Sequence, residues 1–478
     1  MRRTKLGPIE GTALYIGGVL GPGVLALPAL AAAEAGPASL IAWAALLLLS
    51  VPVALSFAAL GARFPDGGGV ATFVARAFGA RAAACVGWWF YAAVPVGTLS
   101  GAMIGGQYVA EALGLGRAVA LLAAALLLLA AAFAANHVGL HLSGRIQVLL
   151  CGVLVLLMVI AVGTAAPALS PGNFSPFMPQ GWTSVGTAAV VLFYAFSGWE
   201  AASHLSAEFR HPQRHLRTTT VIALSVVGVL YLSLATVTVG VLGDASDRSG
   251  VPLMLLIEQG VGPGARAVTA AAAVCLTFGA VNTFIAGAAR LGGALGRDGA
   301  LPDWFAQGSA AGEVPRRSLL VQAVLTGALL AAVAAAGTEL DLLMRITSAF
   351  LATVTAAGTA AAVALLPRRR PLWWAALLAT LFTLLVLLFS SWLLALPASV
   401  AAAAALYRRT RLKERLDRPA HASGNLRPAP LPSAHDCDGS VGNRQRRTRR
   451  DPGRGRTPGP RPRGGARARP GEDRTGRR

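Results

Sequence analysis

Two short stretches carry the chemistry open to this sequence, and both act through backbone rather than ionisable side chains. The first is Gly21-Pro22-Gly23, inside the apolar run 8–34, and the second is Tyr194-Ala195-Phe196-Ser197-Gly198, inside 183–206. Glycine has the weakest helix propensity after proline, and proline lacks an N–H. Each run is therefore expected to unwind at these residues. Amides freed at the start of a half-helix carry partial positive charge and suit a carboxylate. Carbonyls freed in the second stretch suit an ammonium. An α-amino acid presents both groups side by side.

Few other residues offer reactive chemistry. Glu200 is the acid placed within an apolar run beside a break. A buried, unpaired acid is costly and therefore a functional candidate. It reads either as a proton-linked gate, which makes H+ the candidate coupling ion, or as a hydrogen-bonded brace for the unwound helix. Glu10, Glu34 and Glu111 fall at the ends of apolar runs and read as solvated. His137 with His141, and His211 with His215, have the spacing of helix-face ligands, but no HExxH or cysteine cluster accompanies them. No metal site is expected, and no cofactor. Cys85, Cys151, Cys275 and Cys437 are scattered singly, without the spacing of a disulfide framework.

The elements that must position these stretches are membrane helices. Of 478 residues, 55% are hydrophobic and 13% charged, against about 25% charged in a soluble domain. Spanning the hydrocarbon core takes about 20 apolar residues. Twelve runs qualify, at 8–34, 38–62, 83–112, 117–136, 144–165, 183–206, 219–242, 266–290, 317–336, 341–366, 371–389 and 391–407. With the N-terminus inside, the cytoplasmic loops hold seventeen Lys and Arg, and the opposite side only Arg117, Arg248, Arg266 and Arg345. That asymmetry, with an even helix count, puts both termini in the cytoplasm. No cleavable signal peptide is expected.

The net charge of +21 is concentrated at one end, because Arg408 to Arg478 hold 21 of the 42 basic residues and 7 of the 21 acids. The expected organisation is a transmembrane domain of twelve helices over 1–407 and a basic Pro/Gly/Arg-rich tail over 408–478 without a core of its own. The tail reads as solvated. Contact with anionic lipid is the sharper alternative, and no specific nucleic-acid partner is expected.

Breaks at membrane depth are tolerated only where backbone lines a cavity or is buried in protein. A pair of them, in the first and sixth of twelve spans, points to the binding site of a secondary transporter. Gly17-Gly21 and Gly101-Gly105 also fit the small-xxx-small spacing of close helix packing. An enzyme embedded in the membrane would need an acid–base or metal constellation that is not visible here.

Three stretches resemble the amino acid–polyamine–organocation superfamily: Gly21-Pro22-Gly23-Val24-Leu25-Ala26-Leu27-Pro28; Phe196-Ser197-Gly198-Trp199-Glu200-Ala201 running into Leu205-Ser206-Ala207-Glu208-Phe209-Arg210-His211-Pro212; and Gly296-Arg297-Asp298-Gly299-Ala300-Leu301-Pro302. The run Gly67 to Val74, with Ala77-Phe78-Gly79 and Pro95-Val96-Gly97, is similar to the branch that exports methionine and branched-chain amino acids. The resemblance implies an all-α membrane fold, with a leucine-transporter-like 5+5 inverted repeat, helices 1 and 6 broken, and two extra helices. It further implies that the backbone of Gly21 and Gly23 holds a substrate carboxylate and that carbonyls near Tyr194, Ala195 and Ser197 hold its amino group. Tyr194 and Phe284 fall where relatives place aromatic covers over the substrate; ordinary helix packing is the other reading of both.

This chain departs from its relatives at Pro22, which removes an amide donor, and in 147–154, which has no lysine for proton coupling. The expected activity is alternating-access transport of amino acids across the cytoplasmic membrane, as efflux of methionine, leucine, isoleucine or valine. The alternatives are a cationic amino acid or amine permease or antiporter and, from another class, a membrane-embedded enzyme.

Overall fold

The computed structural model describes residues 8–65, 69–115, 117–139, 144–196, 198–199, 209, 211–243, 250–308, 314–337 and 339–417. Two compact units divide the chain at Leu416/Asp417, and the first of them holds every element below except the last residue of the final helix. The expected tail from Arg418 onward lies outside the described residues.

The first apolar run is not one helix. It forms α1 (Pro8–Val19), a 3-10 turn over Pro22–Leu25, and α2 (Leu27–Ala35). Then come α3 (Ser39–Arg63), the short α4 (Val70–Phe78), α5 (Ala80–Leu113), α6 (Arg117–His137) and α7 (Gly144–Ala165). The sixth run gives α8 (Gly181–Phe196), which stops at its expected break. The remainder comprises α9 (Pro212–Val237), α10 (Pro252–Val261), α11 (Ala265–Arg297), α12 (Arg316–Ala336), α13 (Leu340–Leu365), α14 (Pro371–Phe389) and α15 (Ala395–Asp417).

Among the described residues, ten stretches are long and apolar enough to cross a membrane, and α8 and α10 are shorter apolar helices. The chain is an all-α, multi-pass membrane protein. Two of the twelve expected crossings, 8–34 and 183–206, yield no helix of spanning length of their own. They are the two expected to be broken.

The last helix does not end at 407. It runs to Asp417, with Arg408 Nη1 donating to Ala80 O at 2.7 Å and Arg411 facing Asp303 at 3.6 Å. Arginines that a composition count assigns to a tail thus continue the helix. The short α10 has no counterpart among the expected crossings, being too brief to register as one.

The centre of the unit is α5, packed along α6, α11 and α13. Its glycines permit that approach. A Cβ at Gly105 would lie 2.8 Å from Leu128 and 3.3 Å from Thr277, and one at Gly106 would lie 2.6 Å from Leu121 O. Pro95, mid-helix in α5, cannot donate to the carbonyl four residues back, which is that of Tyr91. Gln322 of α12 supplies the missing donor, with Nε2 at 3.1 Å from Tyr91 O. Around this axis α1 packs between α7 and α9, and α2 packs on α8.

Candidate functional site

The break in the first run is a sequence of short backbone bonds. Gly21 N donates back to Val19 O at 2.8 Å, Val24 N to Gly21 O at 3.4 Å and Ala26 N to Gly23 O at 3.1 Å. Pro22 has no amide to offer. Gly21 has therefore spent its donor on its own chain, which leaves Gly23 as the glycine of the pair without a backbone acceptor among the described residues.

Helix α8 ends at Phe196, and one carbonyl of its last turn, Ala195 O, accepts from the Tyr231 hydroxyl at 3.2 Å. Tyr194, in its final turn, lays its ring against Gly23: a Cβ there would stand 2.7 Å from Tyr194 Cδ1. No side chain fits at 23. The Tyr194 hydroxyl donates to Gly97 O of α5 at 3.1 Å, which pins the ring between the two breaks and the central helix.

A cavity of about 40 Å³ opens at this junction, roughly three times the space one water requires. Gly21, Pro22, Gly23, Tyr194, Ala195 and Phe284 all line it, so six residues from three separate parts of the sequence converge. Phe196 stands apart, packed edge-on against Trp43 and Tyr231 at 5.7 and 5.4 Å between ring centres. Gly198 is buried and is not part of the lining. Ser197 and Glu200 lie outside the described residues.

Two walls of the cavity went unread in the sequence. Helix α5 contributes Phe90, Ala93, Val94, Gly97 and Thr98, and α13 contributes Thr347 and Leu351. Available signals were the proline at 95 and the i, i+4 pairs Ala93/Gly97 and Thr347/Leu351 in otherwise apolar helices. Neither threonine offers its hydroxyl proton to the cavity. Thr98 Oγ1 donates to Val94 O at 2.8 Å, and Thr347 Oγ1 to Leu343 O at 2.9 Å. With Tyr194 also committed, the lining behaves as an apolar surface interrupted by backbone.

One acid needs correcting. Glu34, at the end of α2, is not simply solvated: its Oε2 pairs with Arg345 Nη2 at 2.7 Å. The same guanidinium binds Asp341 at 2.6 Å and donates to Thr187 O of α8 at 3.0 Å. Isolated charges at run ends look alike in a sequence, and only packing shows which of them meet.

Two unwound helices flanking an apolar cavity inside a many-spanning bundle define the class: a membrane transporter with a backbone-lined site. The amino acid permease family profile matches residues 6–407, and the chain belongs to that family. It is 35% identical to the uncharacterized amino acid permease YecA of Bacillus subtilis over 86% of this chain and 97% of that protein. It is 34% identical to the L-methionine/branched-chain amino acid exporter YjeH of Escherichia coli over 60% of this chain and 69% of that protein. With the branched-chain amino acid permease BcaP of Bacillus subtilis it shares 28% identity over 63% of this chain and 68% of that protein. It is an amino-acid transporter and not an enzyme.

Proposed function

We propose that this permease exports neutral apolar amino acids, with methionine, leucine, isoleucine and valine as substrates, by alternating access at the cavity between the two breaks. The observation that carries the reading is the lining itself. Three hydroxyls reach the cavity wall and all three protons are spent inside the protein, on Val94 O, Leu343 O and Gly97 O. A substrate side chain that must accept a hydrogen bond would find these three donors already engaged, and burying an unpaired polar group is unfavourable. An apolar side chain loses nothing there. The amide of Gly23 is assigned to the substrate carboxylate, and the carbonyls ending α8 to its ammonium.

The relatives support the same substrate class by name, one as an exporter and one as a branched-chain permease. The protein is placed in the cytoplasmic membrane with both termini inside, on the arginine asymmetry of its loops. The permease unit is assigned to 1–407 and its helical extension, followed by the basic tail.

Inside-out vesicles carrying the protein, offered labelled methionine or leucine, test the proposal. Uptake above empty-vector vesicles, competed by valine but not by arginine, is expected. Uptake competed by arginine would reassign the site to cationic amino acids. No uptake of either, with the protein present in the membrane, would overturn the substrate and direction together. Repeating the assay with a proton gradient, in wild type and Glu200→Gln, reports whether Glu200 links transport to H+.

A further inference from the structure

Five exposed arginines gather at the end of the bundle where α3 and α13 stop. Helix α3 ends at Arg63, whose Nη1 donates at 2.6 Å to Leu365 O, the last residue of α13. Arg368, Arg369 and Arg370 follow in the turn to α14, and Arg76 belongs to α4.

Two of them share an aromatic ring. The Arg63 and Arg76 guanidinium carbons lie 5.2 and 4.4 Å from the centre of the Phe64 ring. They are therefore within about 10 Å of each other, one Debye length at 0.1 M salt. Like charges at that separation repel, and the ring attracts both. Among the described residues no ion pair joins either guanidinium to an acid. The segments 63–78 and 366–374 contain one acid, Asp66, which lies outside the described residues. Against five arginines, it leaves the patch positive whichever of them it meets. Arg369 is held at φ 64°, a left-handed conformation that crowds a Cβ. Glycine would fit that turn more easily, at the loss of a charge.

Aromatic residues fix the height of the patch in the bilayer. Trp374, one turn past Arg370, is 57% exposed, and Phe78, two residues past Arg76, is half exposed. An exposed tryptophan at the end of a membrane helix marks the headgroup level. The arginines accordingly sit among lipid phosphates, with Leu372 and Trp374 exposed beside them to the upper acyl chains. A soluble anion would use the charges but not these apolar neighbours.

We propose that Arg63 and Arg76 bind the headgroup phosphate of an anionic phospholipid, with Arg368 to Arg370 supplying the surrounding positive field. Guanidinium groups hold phosphate through charge-assisted, often bidentate hydrogen bonds. A phosphate there also relieves the repulsion across the Phe64 ring. Because Arg63 holds the Leu365 carbonyl as well, the lipid braces α3 against α13, the helix that places Thr347 and Leu351 in the cavity wall. Assignment to the cytoplasmic leaflet rests on the orientation proposed above; the binding itself does not.

Native mass spectrometry of the full-length protein, delipidated in detergent and titrated with phosphatidylglycerol or phosphatidylcholine, tests the site. The first phosphatidylglycerol is expected to bind at least about tenfold more tightly than phosphatidylcholine, whose phosphate is neutralised by its own choline. Arg63→Gln with Arg76→Gln is expected to weaken that first binding step by about tenfold or more, the effect of two basic residues at the membrane surface. The control is Arg214→Gln with Arg217→Gln, which removes the same charge from exposed positions near the start of α9. It is expected to keep the affinity within about twofold, because screening isolates one patch from another. The tail is common to every variant, so differences between them belong to the patch.

Unchanged phosphatidylglycerol binding in the glutamine pair would overturn the proposal. An equal fall in the α9 pair would overturn it too, by reducing the effect to net charge. Displacement of the lipid by an equal concentration of inorganic phosphate would make the occupant a free anion and reject the lipid. Should the glutamine pair fail to insert, Arg63→Lys with Arg76→Lys decides. It keeps the charge without the planar fork, and an affinity equal to the parent's would overturn the site. None of these measurements uses amino-acid uptake, so failure of the export reading leaves this test standing.

Discussion

At the scale of single residues, the two glycines of the first break have different jobs. Gly21 has an ordinary φ of −77° and no atom within 4 Å of a Cβ built on it. Gly23 has Tyr194 Cδ1 at 2.7 Å and Leu27 Cδ1 at 2.9 Å from the same position. Alanine at 23 would push the Tyr194 ring off the break and strain its bond to Gly97 O. Gly23→Ala is therefore expected to lower vesicle uptake at least about tenfold, the loss of roughly 1.4 kcal/mol of fit, with the protein still in the membrane. Gly21→Ala should keep uptake within about threefold, since nothing crowds it. Equal losses at both positions would mean that the glycines act through flexibility and not through close approach.

At the scale of elements, the bend point of α5 is a two-helix device. Pro95 leaves the Tyr91 carbonyl without its intrahelical donor, and Gln322 of α12 provides one at 3.1 Å. Gln322→Leu is expected to cost about 1–3 kcal/mol of stability, the range for a buried acceptor left unsatisfied. Thermal unfolding in detergent measures it. In a Pro95→Ala background the helix regains its own donor, and the Gln322→Leu cost should shrink. Additive effects in that double-mutant cycle would show that the two residues are independent. The proline matters to the site because it lies between Val94 and Gly97, both in the cavity wall.

At the scale of the whole molecule, Arg345 joins three elements: α13, which carries it, α2 through Glu34 and α8 through the Thr187 carbonyl. The side chain is only 15% exposed, so its charge is poorly screened. Arg345→Ala leaves Glu34 and Asp341 without their shared cation and is expected to destabilise the protein by about 1–3 kcal/mol. It should also make a cysteine placed at Thr98 in the cavity wall more reactive from that face. Glu34→Gln, which leaves Asp341 to neutralise the arginine, should have the smaller effect. A reactivity unchanged in both would confine Arg345 to a surface role.

Much of this protein was written in its sequence, for a physical reason. Hydrocarbon admits only backbone that satisfies itself, so long apolar runs had to be helices, and glycine and proline inside them had to mark where helices stop. The breaks marked Gly21, Pro22, Gly23, Tyr194 and Ala195, and the resemblance to the superfamily added Phe284; all six line one cavity. Tertiary structure decided the rest. The sequence carries no sign that Glu34 meets Arg345 or that Phe196 leaves the cavity to pack on Trp43 and Tyr231. Those outcomes depend on which helix faces touch, and uniformly apolar helices record little of that in their periodicity. A hydrogen bond between Tyr231 and two carbonyls far away in the chain exists only once α1, α8 and α9 are packed together.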